Sequence, residues 1–504
     1  MTDPNTSIRD FLVKNGPCLS SDLKAALVKK GVSEVNIRQR LSRAGGDIHR
    51  LVGLNLPKRT AFFYLERQYK SADYWRNLLH AMTQTNSAHG TAIHGLLARD
   101  GIIKKSEFDI VSGAPQRLTK HIPSSAILDQ LCTTGFLKIE SHDVLGKCVL
   151  IDSRCNLANP TYTSLRNRLI VEDVLLAALS EWVRKTGLGS FNKVHRKTDS
   201  TPVPQFGSFA WDMTAPSYVH PLVSVHKDQP PTSGFVVADV IVDREVSQDD
   251  VRYFIRKCST MRALRNTRPF MAIMLADRFE RDAFVQGKSA GVLFTTPDVL
   301  FGQQIAESLK ALISTLNNAA KYATVDPDKV MYLLSNLSSI EGAAINLRGA
   351  LFELVVGHLV SKLEGGGIDI GMHVKSPEGK SAEIDVRLAK GDHEVRSYEC
   401  KAKAARTQVS LDEVQRWADV KVPVIRDALL SEKRFQNCRM FFEFWTTGTF
   451  CSEAVSFLEL KRTSIKKYVI QWKDGSEVLS SAREAKSSPM VAILNQHYLE
   501  HVLK

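Results

Sequence analysis

Residues 381–404, SAEIDVRLAKGDHEVRSYECKAKA, hold two apolar runs of strand length, each with carboxylates where a buried strand would carry hydrophobes. Residues two apart on a strand share a face, so Glu383 and Asp385 point one way while Ile384 and Val386 point the other. In the second run Glu399 and Lys401 share a face, and Tyr398, Cys400 and Ala402 lie opposite. If KGDHE turns the chain into a hairpin, Asp385 and Glu399 come together. Two adjacent carboxylates repel, and burial raises the cost of ionising both. A hard divalent cation relieves both problems, and oxygen ligands suit magnesium or manganese. Lys401, one pleat beyond Glu399, would stand at the rim of such a site, where it can orient a water or stabilise charge on a phosphate. The alternative is structural: a cross-strand salt bridge of Lys401 with Asp385 or Glu399 on a solvated sheet face.

The neighbouring sequence supplies a frame for these strands. A helix is expected over about 340–364, with Ile345, Phe352, Val356, Leu359 and Leu363 on its inner stripe and Glu353 within ALFELVVG. GIDIGMHVK reads as a strand, Ser410 and Glu413 as a capping box for the helix SLDEVQRWADV, and RMFFEFWTT as a buried strand. The tail suggests a hairpin in KYVIQWKDGSEVL and a last helix in PMVAILNQHYLEHVL.

The D-x13-E-C-K pattern in this order of elements resembles the PD-(D/E)XK nuclease superfamily, the restriction-endonuclease-like fold, over roughly 340–450. The resemblance implies an αβββαβ core with Asp385 and Glu399 as metal ligands, the Cys400 carbonyl as a further ligand, and Lys401 as the catalytic lysine. It implies a metal-linked or water-held carboxylate at Glu353 and a helpful glutamine at Gln415. Lys403 and Arg406 become candidates for phosphate contacts, and Glu383 a further candidate acid. No proline precedes Asp385, which departs from a common form of the motif.

Residues 160–320 repeat the same order: a long helix in SLRNRLIVEDVLLAALSEWVRKTG, then strands in SFNKVHR, SFAWDM and GFVVADVIV. A helix in DDVRYFIRKCSTMRAL, a buried strand in PFMAIMLA, a helix in ERDAFVQGKSAG and a strand in VLFTT follow. Aligned by element, Glu172, Asp212 and Asp239 fall where Glu353, Asp385 and Glu399 fall, but Ile241 stands in place of the lysine. This block is expected to be a degenerate, inactive copy; an unrelated α/β domain is the alternative.

Residues 1–70 suggest three short helices and a hairpin, an arrangement that resembles a winged helix-turn-helix domain. The stretch carries 13 Lys and Arg against 6 Asp and Glu, over half of the whole chain's excess of +13. Its third helix, SEVNIRQRLSRA, should bury Val35, Ile37 and Leu41 and turn Asn36, Arg38, Gln39, Arg40 and Arg43 outward, where arginine forks and amides suit duplex DNA. A protein-interaction module with a basic face is the other possibility. Residues 71–158 suggest a second such unit, whose third helix, SSAILDQLCTTG, lacks cations and points to a structural or partner role.

The 504 residues exceed a single core. The fold expected is therefore multidomain α+β and α/β, with winged-helix units at 1–70 and 71–158 and nuclease-like domains at 159–324 and 325–504. No apolar run is long enough to span a bilayer, MTDPNTSIRD has no signal core, and eight scattered cysteines without a CxxC pair suggest reduced thiols and a cytoplasmic protein. His89 and His94, five apart, miss the spacing of zinc ligands on one helical face. The function expected is a Mg2+-dependent (or Mn2+-dependent) DNA endonuclease, acting on duplex in prokaryotic restriction or defence, as a homodimer or with a partner protein. A non-catalytic DNA-binding regulator and an RNase are the competing possibilities.

Overall fold

The computed structural model describes residues 4–198, 202–224, 230–319, 327–337, 340, 344–404 and 407–499. The protein is mixed α+β with several sheets, and it divides into two compact units. The first comprises Met1–Ser141, Lys147–Thr161 and Val183–Thr296; the second comprises His142–Gly146, Tyr162–Trp182 and Pro297–Lys504. The 159–324 block is thus shared between the units, and its long helix, Tyr162–Lys185, gives residues up to Trp182 to the second. Among the described residues no helix is long and apolar enough to cross a membrane, and all eight cysteines are free thiols.

In the first unit, helices Pro4–Asn15, Ser20–Lys29 and Glu34–Ser42 precede a three-stranded antiparallel sheet of Cys18–Leu19, Phe62–Leu65 and Ile48–Arg50, in that spatial order. Ile8, Leu12, Leu23, Leu27, Ile37 and Ile48 form its core. Val35, expected inside, is 66% exposed, because the nine-residue helix turns only the Ile37 side fully inward. Helices Ala72–Gln84 and Ala88–Leu97 follow, each started by a serine (Ser71, Ser87) whose hydroxyl accepts a first-turn N–H. The helix Ser124–Thr133 and the antiparallel strands Ile102–Lys104, Gly146–Ile151 and Leu137–His142 complete this stretch. Leu19, Leu54, Leu56 and Phe62 pack into one core with Trp75, Leu78 and Ile127.

The rest of the first unit has a separate two-stranded sheet of Gln205–Phe206 and Phe209–Ala210 and is built on a five-stranded sheet, ordered His195–Arg196, Met213–Ser217, Gly234–Val246, Phe270–Phe279, Leu293–Thr295. Its first three strands are antiparallel neighbours and the last two add in parallel, after the helices Arg252–Arg262 and Arg281–Ser289. Asp212, expected on the second strand, lies one residue before it.

The second unit holds a sheet of the same size, order and sense. Gly367–Lys375, Ser381–Lys390 and Glu394–Lys401 are antiparallel; Arg439–Thr446 and Val469–Lys473 add in parallel. The helix Ala344–Glu364 precedes the sheet, and a helical run from Leu411 to Ser431 connects the third strand to the fourth. That run starts at the Ser410–Glu413 capping box and outlasts the expected SLDEVQRWADV. Residues 416–421 widen into a π-helical turn just before Pro423, which has no N–H to give to a helix and crowds the carbonyl four residues back. The expected C-terminal hairpin is not formed. KDGSEVL ends one strand and caps the helix Gly475–Glu484: Asp474 accepts the N–H groups of Ser476 and Glu477, and Glu477 accepts that of Asp474. The D-G pair sits in a D-x-x-E capping box, so the chain enters a helix there.

Candidate active site

The hairpin of the second unit is paired from Lys390–Glu394 down to Val386–Tyr398, closed by residues 391–393 with Gly391 at φ 61°. Asp385 and Glu399 come one step beyond the last paired residues. There the Cys400 N–H donates to Asp385 Oδ2 at 2.7 Å. Lys401 Nζ lies 2.6 Å from Glu399 Oε1, and at 40% exposure it is the most open group of the cluster.

Two cations that sequence reasoning passed over complete the arrangement. Lys421, the last residue of the π-turn, pairs with Glu399 and has its Nζ 3.6 Å from Asp385 Oδ1, so one ammonium spans both carboxylates. Arg166, on the Tyr162–Lys185 helix, pairs with Glu353, with one contact at 3.0 Å, and places Nε 3.0 Å from Glu383 Oε1. Four carboxylates, Glu353, Glu383, Asp385 and Glu399, each under a tenth exposed, therefore meet three cations, Arg166, Lys401 and Lys421. The signals for the missing two were indirect. Pro423 inside a helical pattern forecasts a distortion that can turn Lys421 inward. Gly371, in the interior of the strand GIDIGMHVK, forecasts a close approach: it adopts φ +66°, and a Cβ there would meet the Arg166 guanidinium at 3.0 Å.

Burial works against every charge in the cluster, and the neighbours decide the outcome. Burial pushes Glu353 up, to about 7, because Arg166 only partly offsets it and Asp385 and Glu383 add negative charge. Glu383 moves up for the same first reason. Asp385 is also penalised by burial, but Lys421, Lys401, Arg166 and the Cys400 N–H outweigh it and bring it below the usual carboxylate range. Burial disfavours the Lys401 and Lys421 ammonium groups too, and the carboxylates around them more than compensate, so both stay firmly protonated.

Among the described residues, no group of three or more His, Cys, Asp or Glu side chains is arranged to hold a metal ion. Magnesium, however, is commonly held through one or two carboxylates and keeps several waters. Asp385 and Glu399 already share one cation, the Lys421 ammonium, and acids outnumber bases across the cluster. The residues present thus fit a hard divalent ion on that pair. Glu353 is committed to Arg166.

The other expected site residues fall outside this cluster. Gln415 is half-buried at the end of a short helix and makes no side-chain hydrogen bond among the described residues. Lys403 is paired with Glu413 at 2.7 Å, so its ammonium is already engaged. Arg406 lies outside the described residues. On the helix Glu34–Ser42, Asn36, Arg38 and Gln39 are exposed, as is Arg43 just after it, while Arg40 is half-buried; none forms a side-chain ion pair among the described residues.

The first unit repeats the core contacts in sealed form. Val240 N–H donates to Asp212 Oδ2 at 2.8 Å, as Cys400 does to Asp385, and the Asp212 N–H donates to Asp239 Oδ1 at 3.0 Å. Lys257, from the helix after the third strand, sits 2.5 Å from Asp239 Oδ2, matching Lys421 and Glu399. Here Lys197 and Arg99 add positive charge to Asp212, at 3.1 and 3.6 Å, and Lys257 lies 4.1 Å from the Trp211 ring centre. Asp239, Lys257 and Ile241 have no exposure at all. Glu172, on the helix that belongs to the second unit up to Trp182, is buried 3.3 Å from Arg168.

Comparisons with protein-family models, with curated proteins and with solved structures found no match for this chain.

Proposed function

We propose that the protein is a metal-dependent endonuclease that hydrolyses phosphodiester bonds of DNA through the cluster around Asp385, Glu399 and Lys401. The observation that carries this is the meeting of Asp385 and Glu399 on one shared cation, with Lys401 at the open rim. The second unit's order of helix, three antiparallel strands, helix and parallel strand supports a restriction-endonuclease-like fold. In this proposal Asp385, Glu399 and the Cys400 carbonyl hold Mg2+ or Mn2+. The bound ion would supply a polarised water and neutralise charge at the scissile phosphate.

The chain's own groups do the rest. The Cys400 N–H fixes the Asp385 carboxylate, so the oxygens are aimed before any ligand arrives. Lys401, tethered at 2.6 Å to Glu399 and 40% exposed, presents a fixed positive charge where charge develops on a non-bridging phosphate oxygen. Arg166 holds Glu353 and Glu383 at the back of the cluster and limits their mutual repulsion.

The sealed charges of the first unit, with Ile241 where a lysine would be needed, support an inactive nuclease-like domain. The outward Arg38 and Arg43, with the Gln39 amide between them, support a winged helix in 1–70 that docks on duplex, and 71–158 would be a second such unit. One site per chain would nick one strand, so a double-strand cut would need a homodimer or a partner protein. A cytoplasmic role in restriction or defence follows the same resemblance. Incubating the purified full chain with plasmid, linear duplex, single-stranded DNA and RNA, with Mg2+, Mn2+ or EDTA, tests the proposal. Metal-dependent cleavage of DNA upholds it, cleavage of RNA alone makes the protein an RNase, and binding without cleavage makes it a regulator.

A further inference from the structure

The two sheets of this chain carry the same lysine at the same place. Each has an aspartate at the second strand that accepts the N–H following the third-strand acid, Asp212 from Val240 and Asp385 from Cys400. Each has a helix lysine on that third-strand acid, Lys257 on Asp239 and Lys421 on Glu399. The surroundings differ. Lys257 is wholly buried, donates to the carbonyls of Ile110 and Ala210 as well as to Asp239, and lies 4.1 Å from the Trp211 ring centre. Lys421 is 20% exposed, its ion pairs are to Asp385 and Glu399, and it rides on a π-turn. Lys257 is boxed in by carbonyls and rings; among the described residues the ion pairs of Lys421 are to the two carboxylates, and its side chain is partly open to solvent.

We propose that Lys421 is an exchangeable counter-ion of the active site: its ammonium occupies the Asp385–Glu399 pair until a divalent ion displaces it, and the released ammonium becomes a ligand for the DNA phosphate. This rests on the nuclease proposal for the same cluster. A divalent ion on the Asp385 and Glu399 oxygens that Lys421 contacts would carry twice the charge of Lys401 and would repel the Lys421 ammonium at that distance, so the ion and Lys421 compete for the pair. A side chain at the end of a widened helical turn can withdraw without breaking the strands that hold the acids. Once withdrawn, a lysine beside the site faces the polyanion that the ion has drawn in, so metal and substrate binding reinforce each other. Lys401 differs, because it touches Glu399 without spanning to Asp385 and already lies at the rim.

The direct test is amine labelling of the wild-type full chain, read by mass spectrometry of the Lys421 peptide, with and without Mn2+. Mn2+ is expected to raise Lys421 labelling several-fold. A second measurement, titration of free Mn2+ by its electron paramagnetic resonance signal, compares wild type with Lys421→Gln and Lys401→Gln. If Lys421 engages the pair about nine-tenths of the time, Lys421→Gln tightens Mn2+ binding about tenfold, and more than Lys401→Gln does. Labelling that is unchanged or falls, or an unaltered Mn2+ affinity in Lys421→Gln, overturns the exchange while leaving a cleaving wild type intact. A wild-type chain that binds no Mn2+ overturns the exchange and the metal-dependent nuclease together.

Discussion

Arg166 and Glu353 stand 187 residues apart in the chain and form a two-pronged ion pair, and the same guanidinium reaches Glu383 at 3.0 Å. A helix outside the 340–450 stretch thus supplies the positive charge that lets two buried acids lie beside Asp385. Removing one partner of a buried pair leaves the other charged and unsolvated, which costs about 3–5 kcal/mol. Arg166→Met should therefore lower the thermal midpoint of the second unit sharply. Adding Glu353→Gln should recover about 1–3 kcal/mol relative to the sum of the single losses. Strict additivity in calorimetry would show that the pair carries no coupling.

The Lys257–Asp239 pair makes a parallel case in the first unit, with a different consequence. Burial drives Lys257 down and Asp239 up, and each is held only by the other and by neighbouring dipoles and charges. Either Lys257→Met or Asp239→Asn alone should destabilise the chain by about 3–5 kcal/mol, and the double replacement by less than either. DNA cleavage at a temperature where the variants stay folded should be unchanged. Loss of cleavage in a folded Lys257 variant would argue against an inactive first sheet.

The stack of His142 on His373, ring centres 4.2 Å apart, predicts a pH dependence. His142 Nδ1 accepts the N–H groups of Val144 and Leu145, which requires the ring nitrogen to be unprotonated. Burial first, and then the His373 charge, bring its pKa down to about 4. The unfolded chain therefore takes up a proton at a higher pH than the folded one, so stability falls as pH drops from about 6.5 towards 4. Urea midpoints measured across that window should decline, and His142→Gln should flatten the decline. An identical slope in the variant would remove His142 as the cause.

For the basic N-terminal helix the expectation concerns salt. Replacing Arg38, Arg40 and Arg43 with Ala should weaken binding to random duplex uniformly and reduce the slope of log affinity against log salt by about 1 for each lost phosphate contact. Fluorescence anisotropy over a salt series measures it. An unaltered slope would assign this helix to another partner.

Much of the second unit was legible because its signals are local. Alternation around Asp385 and Glu399 dictates which residues share a face, and the S-x-x-E spacing at Ser410 starts a helix wherever it is folded. What escaped was non-local or ambiguous. No spacing connects Arg166 to Glu353, since that contact exists only once a distant helix has docked. Lys421 was hidden because helical periodicity does not report a π-turn, which shifts the side chains after it. The D-G of KDGSEVL misled because a turn and a helix cap use the same residues, and only Glu477 distinguishes them. Val35 misled because a two-turn helix has too few positions for its apolar stripe to be fixed by pattern alone.

The central claim is that Asp385, Glu399 and Lys401 form one hydrolytic site, and the most direct measurement is supercoiled-plasmid cleavage by wild type, Lys401→Ala and Asp385→Asn with Mg2+ and with EDTA, alongside DNA binding by the same proteins. Wild type should cleave with Mg2+ and not with EDTA, Lys401→Ala should lose about a hundredfold to a thousandfold, Asp385→Asn should not cut detectably, and all three should still bind DNA. Cleavage by Lys401→Ala at the wild-type rate, or cleavage that persists in EDTA, would contradict the claim.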